Sequence, residues 1–447
     1  LTVGGRRPYQ TNHDGYAYID ELKIYDRQLS AVEAAGLYPP TAKTIEDLSS
    51  EEKKEHYLAT IHSSHQKVQG KIQALRQEKF SIQDTLISVM VMEDLPKPRP
   101  TFILTRGAYD APSRRVRPGT PAAIPPRSGK DLKDRADLSQ WLLDPNNPLT
   151  ARVTVNRFWQ HFFGQGIVKT TDDFGNQGAL PTHPELLDWL AVTFVESGWD
   201  TKALLRLIVL SSSYQQSSRS SLEKRSKDSD NLLLSRGPSR RLSAELIRDG
   251  ILTASGLLVR TIGGPSVKPY QPEGLWSEKG EFSQLKHYQQ SHGTDLYRRS
   301  LYTFWRRTSP PPAMTTFDAP TRDICIASRQ ETNTPLQALV MLNDPQFVEA
   351  ARVLAENVIR ETPGKTDQII RAYRLLTGLQ PKPETISLLD QLEEKEYQKY
   401  RVLPKQSQAL LAVGEFPSDQ ALNQAKVAAM TIVCSTIMSF DETLVQR

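Results

Sequence analysis

Residues 147–164 read NPLTARVTVNRFWQHFFG, and their apolar spacing predicts an α-helix that ends at Gly164. From Val155 onward the apolar side chains recur every three or four positions, as in Phe158, Trp159, Phe162 and Phe163. A helix with such a face is stable only when the face packs against other apolar surface. The stretch therefore predicts a helix buried within a larger core.

Similar apolar runs, each stopped by Gly or Pro or followed by a polar loop, lie on both sides of this stretch. They are Leu138–Leu142, Leu186–Val195, Leu204–Val209, Leu242–Leu252, Leu336–Leu342 and Ile369–Leu376. The sequence shows neither alternating strand and helix patterns nor a solenoid repeat. It therefore predicts a mainly α fold over residues 136–447, an irregular helical bundle with long Pro-rich loops.

Composition sets the class of protein. The chain has 447 residues, of which 38% are hydrophobic and 24% charged, and 56 Lys and Arg against 51 Asp and Glu give a net charge of +5. This length predicts about three structural units, and the composition excludes a disordered chain. No apolar run is long enough for a membrane span, and no signal peptide is visible. Because the chain opens at Leu1 without Met, we expect a fragment or a processed product.

The first 95 residues predict two further units. Residues 14–26 have a strand pattern, and Ser30 with Glu33 predicts a capped short helix ending at Gly36, so residues 1–38 are interpreted as a small β remnant. Residues 39–95 predict a coiled-coil-like helical linker with apolar positions at Leu58, Ile61, Val68, Ile72 and Leu75, and His65 in the vacant heptad slot. His62 and His65 alone make a weak metal pair, so no metal site is expected.

Residues 96–135 form a basic Pro-rich arm. Between Lys97 and Arg135 there are ten Lys or Arg and three Asp or Glu, and Thr101–Gly107 predicts one strand in an otherwise irregular segment. Binding of nucleic acid through this arm is one alternative. The arm lacks interleaved aromatic residues for base stacking, so the sequence favours an extended connector instead.

The longer motifs resemble one family. They are residues 147–164, residues 171–175, residues 183–190, residues 263–267 (GGPSV) and residues 329–339 (RQETNTPLQAL). From about Met92 to the C-terminus they resemble the planctomycete-type domain of unknown function DUF1553. The resemblance implies an exported, extracytoplasmic multidomain protein, with upstream domains of the same protein as partners. It also implies a laminin-G-like, concanavalin-like jelly roll upstream, of which residues 1–38 would be the end. Relatives carry a haem c domain, but this chain has no Cys-x-x-Cys-His motif, so no cofactor is expected here.

Several isolated residues invite a chemical interpretation and also have a structural one. Asp172 and Asp173 supply two carboxylates, and glycoside hydrolysis requires two carboxylates that flank a bound sugar. Neighbours in sequence seldom face each other, so a turn-forming role is favoured. His161 is interpreted as a half-buried helix residue, and Thr182 with Glu185 predicts a capping box around His183 and Pro184. Cys325 and Cys434 are interpreted as unpaired thiols, with a single bridge as the alternative.

Two later clusters are the candidate sites. Tyr270, Glu273 and Trp276 are typical of a sugar-binding loop, with rings for the apolar sugar face and a carboxylate for hydroxyl groups. The second cluster has the guanidinium and carboxylate groups needed to bind a carboxylate or sulfate. Its members are Arg306, Arg307, Asp318, Arg322, Asp323, Arg329 and Asn333. The structural alternative is an internal network that fixes a long loop.

Three functions remain open at this point. The leading hypothesis is a binding or scaffold module linked to polysaccharide handling, with Tyr270, Trp276, Arg306, Arg329 and Asn333 contacting a glycan. The second is an enzyme on complex, sulfated polysaccharide, with Asp318, Arg322 and Glu273 as catalytic candidates. The third is nucleic-acid binding through the basic arm. If the clusters share a site, Trp276 or Tyr270 should lie beside Arg322 and Asp318.

Overall fold

The structure is a computed structural model of the chain. It describes residue 25 and residues 29–37, 45–86, 89–97, 99–124, 132, 134–276 and 288–446. The chain divides into two compact units, Leu1–Arg99 and Pro100–Arg447. The strand expected over residues 14–26 lies, except for Tyr25, outside the described residues and stays a prediction.

The first unit contains three described helices. These are α1 (Ala31–Gly36), α2 (Ser50–Thr60) and α3 (Ser63–Thr85). The predicted start of α1 is confirmed, because the Ser30 backbone N–H donates to Glu33 Oε2 (2.9 Å) and the Glu33 N–H donates to Ser30 Oγ (3.3 Å).

The prediction of one continuous helix through Leu58 and Leu75 is wrong, because α2 ends at Thr60 and a separate helix, α3, begins at Ser63. His62 has an extended backbone there, and its Nδ1 accepts the His65 N–H at 3.1 Å, which caps the start of α3. His62 therefore has a structural role. Among the described residues, no group of three or more His, Cys, Asp or Glu side chains is arranged to hold a metal.

The second unit is mainly α, as the sequence predicts. Its described helices are α4 (Arg135–Leu142), α5 (Thr150–Phe163), α6 (Pro184–Glu196), α7 (Thr201–Val209), α8 (Leu222–Lys227), α9 (Ala244–Ser255), α10 (Pro312–Thr316), α11 (Pro335–Asn343), α12 (Pro345–Glu361), α13 (Lys365–Thr377), α14 (Pro383–Val402), α15 (Pro404–Leu411), α16 (Gln424–Met438) and α17 (Asp441–Leu444). Helix α12 packs against α9, α13 and α16 in the main core, and α5, α6 and α7 enclose a second apolar cluster.

Strands are few and short among the described residues. β1 (Thr101–Leu104) pairs antiparallel with β2 (Pro112–Val116), and β3 (Arg240–Arg241) pairs antiparallel with β4 (Val445–Gln446). The strand predicted in the basic arm is present, but the rest of the arm is more regular than expected. β2 returns along β1 after a turn in which Arg106 and Gly107 have positive φ, so this part of the arm is a hairpin.

Two predicted helix starts have different outcomes. Helix α11 begins at Pro335 as expected, and the Thr334 N–H donates to the side chain of Gln337 (3.0 Å). The capping box predicted for Thr182 is wrong, because α6 starts after His183 and the Thr182 N–H and hydroxyl both donate to the Ile167 carbonyl. Thr182 fastens the preceding loop instead of the helix.

The glycine pair at residues 263–264 owes its conformation to one arginine. Both glycines have φ of +87°, and Arg298 donates to the carbonyls of Thr261 (3.3 Å), Gly263 and Pro265 (2.9 Å). The guanidinium also stacks 3.9 Å above the Tyr302 ring. A side chain at a positive-φ position is strained, so the GGPSV motif is explained by this wrapped loop.

The two cysteines are both free: Cys325 is exposed and Cys434 is buried. The interpretation as unpaired thiols is confirmed, and burial raises the pKa of the Cys434 thiol. In the described part of the chain, no helix has both the length and the apolar character needed to cross a bilayer.

Candidate functional site

An arginine stacked on a tryptophan marks the candidate site. The Arg322 guanidinium carbon lies 4.4 Å from the centre of the Trp305 ring, within the range of a cation–π contact. Trp305 is itself held in place, because its Nε1 donates to the Thr321 carbonyl at 3.0 Å. Arg322 is exposed, and no described residue accepts a hydrogen bond from its guanidinium. Its N–H groups therefore face solvent from a fixed position.

The backbone around this stack is strained. Asp318 has φ of +62° and Arg322 has φ of +65°, and residues other than glycine seldom adopt such positive φ angles. Such strain persists only where surrounding contacts hold the chain, and it concentrates at functional sites.

One of these contacts is a tie across the loop. Both carboxylate oxygens of Asp318 accept from Thr332, one from the backbone N–H (2.7 Å) and both from the hydroxyl (2.9 Å). Asp318, a catalytic candidate from the sequence, thus holds together the two ends of residues 318–332, which we call the site loop. Its carboxylate is engaged in positioning this loop.

Arg241 of β3 holds the far end of the site loop. Its guanidinium donates to the Thr332 carbonyl at 2.6 Å, lies 3.5 Å from Asn333 Oδ1, and stacks 5.2 Å from the Phe317 ring. The Gln337 side chain adds bonds to the Thr316 (2.8 Å) and Thr332 carbonyls. Asn333, predicted as a ligand contact, is exposed beside this anchor.

The middle of the site loop is tied to two helices. Arg329 pairs with Glu245 of α9 at 2.7 Å, and Gln160 of α5 donates to Ser328 Oγ at 3.1 Å. Arg329, another predicted ligand residue, therefore has a carboxylate partner, although 44% of its side chain remains exposed. The structural alternative weighed for this cluster, an internal network, thus describes Asp318 and Arg329, whereas Arg322 remains available.

The predicted sugar-binding loop of Tyr270, Glu273 and Trp276 makes a different set of contacts. Trp276 is only 2% exposed and packs against Tyr288 and Phe304, with Arg306 4.9 Å from its ring centre. Phe304 and Arg306 contact Trp276, whereas Trp305 between them contacts Arg322. Alternate side chains of this segment therefore belong to two different groups of contacts, one around Trp276 and one around Trp305. The Trp276 side chain is therefore buried in the core, and neither face of its ring is open to a sugar.

The hydrogen bonds of Tyr270 are made to residues outside the stack on Trp305. The Tyr270 hydroxyl donates to Glu349 Oε1 (3.3 Å) and accepts the Glu415 N–H (2.8 Å), which makes it a loop anchor. Burial, and then the Glu349 carboxylate, raise the pKa of Tyr270. Glu273 is exposed, and the expectation that Trp276 or Tyr270 lies beside Arg322 and Asp318 has no support in these contacts.

Of the two adjacent carboxylates Asp172 and Asp173, Asp173 has a structural role. Asp173 Oδ1 accepts the Gly175 N–H at 2.7 Å, and Thr170 Oγ1 donates to the Asp173 carbonyl, so the predicted turn role of Asp173 is confirmed. A cavity of about 30 Å³ lined by His183 and Asp230 among others has room for about one water molecule.

The pKa of His161 reflects the charges next to the site loop. Burial lowers its pKa, and the nearby Arg240, Arg157 and Arg329 guanidinium groups lower it further. The backbone carbonyl of His161 also accepts from Arg240 (2.5 Å). The arginines around α5 and the site loop therefore produce a positive potential there.

This field is testable through the imidazole of His161. In the variant Arg157→Ala we expect the pKa of His161 to rise, because one repelling charge is removed. A pH titration of the His161 ring signals by NMR measures this pKa. Arg206→Ala, an exposed arginine on α7 that does not contribute to the His161 pKa, is the control and should leave it unchanged. An equal shift in both variants would contradict the assignment.

Sequence reasoning missed Trp305 as a platform and Thr332, Arg241 and Glu245 as supports of the site loop. The only sequence signal for Trp305 is its place between Phe304 and Arg306, two residues that face the other cluster.

Comparison with known proteins gives one family. The model of PSD1, described as a protein of unknown function (DUF1553), matches residues 134–392, which is more than half of the chain and contains every site residue named above. No curated protein and no solved structure matches.

Proposed function

The chain belongs to the PSD1 family, proteins of unknown function (DUF1553), and on that premise we propose that it is a binding module for an acidic polysaccharide, with Arg322 on Trp305 as its contact group. The observation that carries the proposal is the exposed Arg322 guanidinium, held 4.4 Å from the Trp305 ring centre and bonded to no described acceptor. A guanidinium has a planar fork of N–H donors that matches a carboxylate or a sulfate.

The fixed geometry of the site loop favours recognition of a ligand. The Asp318–Thr332 tie, the Arg241 anchor and the Arg329–Glu245 ion pair hold the site loop before any ligand binds. Because those groups are already ordered, binding costs less conformational entropy than it would on a free loop. The positive field that lowers the pKa of His161 adds a general attraction for a polyanion.

Binding is favoured over hydrolysis by the role of Asp318. A glycosidase needs a pair of carboxyl groups placed on either side of the scissile bond, whereas both oxygens of Asp318 are engaged by Thr332. The exported setting implied by the resemblance supports a polysaccharide as the ligand, since such polymers occur outside the cell.

The first test measures binding to a sulfated galactan and to its chemically desulfated form by affinity electrophoresis. We expect Arg322→Ala to weaken retention by the sulfated polymer about 10- to 100-fold, the value of one charge-assisted hydrogen-bonded contact. The matched control is Arg371→Ala, an exposed arginine on α13, which should leave binding unchanged. Equal losses in both variants would show that only net charge matters.

Two further variants separate recognition from other functions. Arg322→Lys keeps the charge but loses the planar fork, so we expect most of the loss seen for Arg322→Ala. If the chain releases reducing ends from the polymer and Asp318→Asn abolishes this, the protein is an enzyme and the proposal is wrong. If it retains duplex DNA with steep salt dependence and ignores the galactan, the nucleic-acid alternative is right.

A further inference from the structure

Helix α3 carries an apolar stripe on its surface. Val68, Leu75 and Ile82 are 53%, 64% and 55% exposed, and their seven-residue spacing places them along one line of the helix. None of the 23 residues of α3 is buried. Large aliphatic side chains exposed at heptad spacing along one line of a helix are typical of a coiled-coil surface.

The stripe has the heptad pattern of a coiled coil. If Val68, Leu75 and Ile82 occupy the d positions, the a positions are His65, Ile72 and Lys79. Ile72 and His65 are half-buried because they also line the groove of about 730 Å³ between α2 and α3, as do Gln69 and Arg76 at the e positions. The stripe itself lies to one side of this groove, and Val68, Leu75 and Ile82 do not line it.

We propose that α3 forms an antiparallel two-stranded coiled coil with α3 of a second copy of this chain. Charge selects the orientation. In a parallel pair Lys79 would face the partner's Lys79 in the seam, and Lys71 at a g position would face the partner's Arg76 at an e position. Both contacts are repulsive, so the parallel dimer is disfavoured.

The antiparallel arrangement removes both repulsions. In such a pair a positions face d positions and g positions face g positions. When Ile72 lies opposite the partner's Leu75, Lys79 lies opposite the partner's Val68, so its aliphatic stem covers an apolar side chain.

Charge also selects the register of the antiparallel pair. With Ile72 opposite the partner's Leu75, Lys71 lies beside the partner's Glu78, and twofold symmetry creates this pair twice. A shift by one heptad in one direction puts Lys71 next to the partner's Lys71, and a shift in the other direction puts Glu78 next to the partner's Glu78. Only the central register pairs opposite charges.

Sedimentation equilibrium of the full chain tests whether the dimer exists. We expect a concentration-dependent dimer for the unmodified protein and a monomer for Leu75→Asp at the same concentrations, since this change puts a charge at the centre of the seam. The control Leu388→Asp alters a leucine on α14 that is 67% exposed and should leave the dimer intact. A protein that remains monomeric at all concentrations, or a dimer that survives Leu75→Asp, overturns the proposal.

A charge reversal tests the orientation. In the antiparallel dimer Lys71→Glu places two glutamates beside each other twice, so we expect dissociation to become about tenfold easier at low salt. The double variant Lys71→Glu with Glu78→Lys restores both pairs and should restore the dimer. In a parallel dimer Lys71→Glu would instead face the partner's Arg76 and tighten association, which overturns the proposal. Lys67→Glu on the same helix, outside the stripe, is the control for net charge.

Discussion

Replacement of Arg248 by alanine is expected to lower the free energy of unfolding by about 3–5 kcal/mol. Arg248 lies on α9 with 4% of its side chain exposed. Its guanidinium donates to Gln346 Oε1 (2.8 Å), to the Arg298 carbonyl (2.7 Å) and to the Leu296 carbonyl (2.8 Å). Alanine leaves all three buried acceptors without a donor, and each unsatisfied group costs about 1–3 kcal/mol.

The charge state of Arg248 is part of this argument. Burial lowers its pKa to about 10, against the opposing influence of Asp249 and Asp344. The side chain therefore remains protonated at neutral pH, and the carbonyl acceptors compensate for the loss of hydration. This arginine fixes the segment around residues 296–300, from which the chain continues to Trp305.

Chemical denaturation followed by circular dichroism measures the effect of each Arg248 variant. Arg248→Met keeps most of the packing volume and should be destabilised nearly as much as Arg248→Ala, because it also lacks donors. Arg248→Lys keeps the charge but cannot reach three dispersed acceptors, so it should fall between the unmodified protein and Arg248→Ala. The exposed control Arg371→Ala should change stability by less than about 0.5 kcal/mol. If Arg248→Ala behaves like this control, the hydrogen bonds carry no net stabilisation.

The helices of this fold could be predicted from the sequence because the patterns that indicate them are local. The apolar period of residues 147–164 predicts α5, and the Thr334–Pro335 pair predicts the start of α11, since both depend on neighbours within one or two turns. The break between α2 and α3 was missed although it is also local. His62 acts there as a capping residue, whereas the heptad pattern indicated continuity.

The candidate site depended on contacts that sequence does not reveal. Glu245 and Arg329 are 84 residues apart, and Arg241 and Thr332 are 91 residues apart. Grouping residues by proximity in sequence placed Arg306 with Arg322, although Arg306 stacks on Trp276 and Arg322 on Trp305. Consecutive side chains of residues 304–306 contact different clusters, and the sequence did not reveal which of them face which cluster.

Gly414→Ala is expected to be among the most destabilising single methyl additions in the chain, at about 2–5 kcal/mol, the sum of backbone strain and overpacking. The residue has φ of +89°, which costs an alanine about 1–2 kcal/mol. The added Cβ would also overlap Cδ and Oε1 of Glu349, a fully buried carboxylate on α12. Glu349 cannot retreat easily, because its Oε1 accepts from Tyr297 (2.9 Å) and from the Phe416 N–H (2.7 Å), so overpacking adds about 1–3 kcal/mol.

A control and a double variant divide this cost into its two causes. Gly378 has φ of +70°, and no atom lies within 4 Å of the point that an alanine Cβ would occupy, so Gly378→Ala should show the backbone strain alone, about 1–2 kcal/mol. Glu349→Ala is destabilising by itself, because it removes the acceptor shared by the Tyr270 hydroxyl, the Tyr297 hydroxyl and the Phe416 N–H. Combined with Gly414→Ala it should cost less than the sum of the two single changes, since the shortened side chain leaves room for the methyl group. Strict additivity in this cycle would mean that the Gly414 loop moves away from α12 instead of pressing on Glu349.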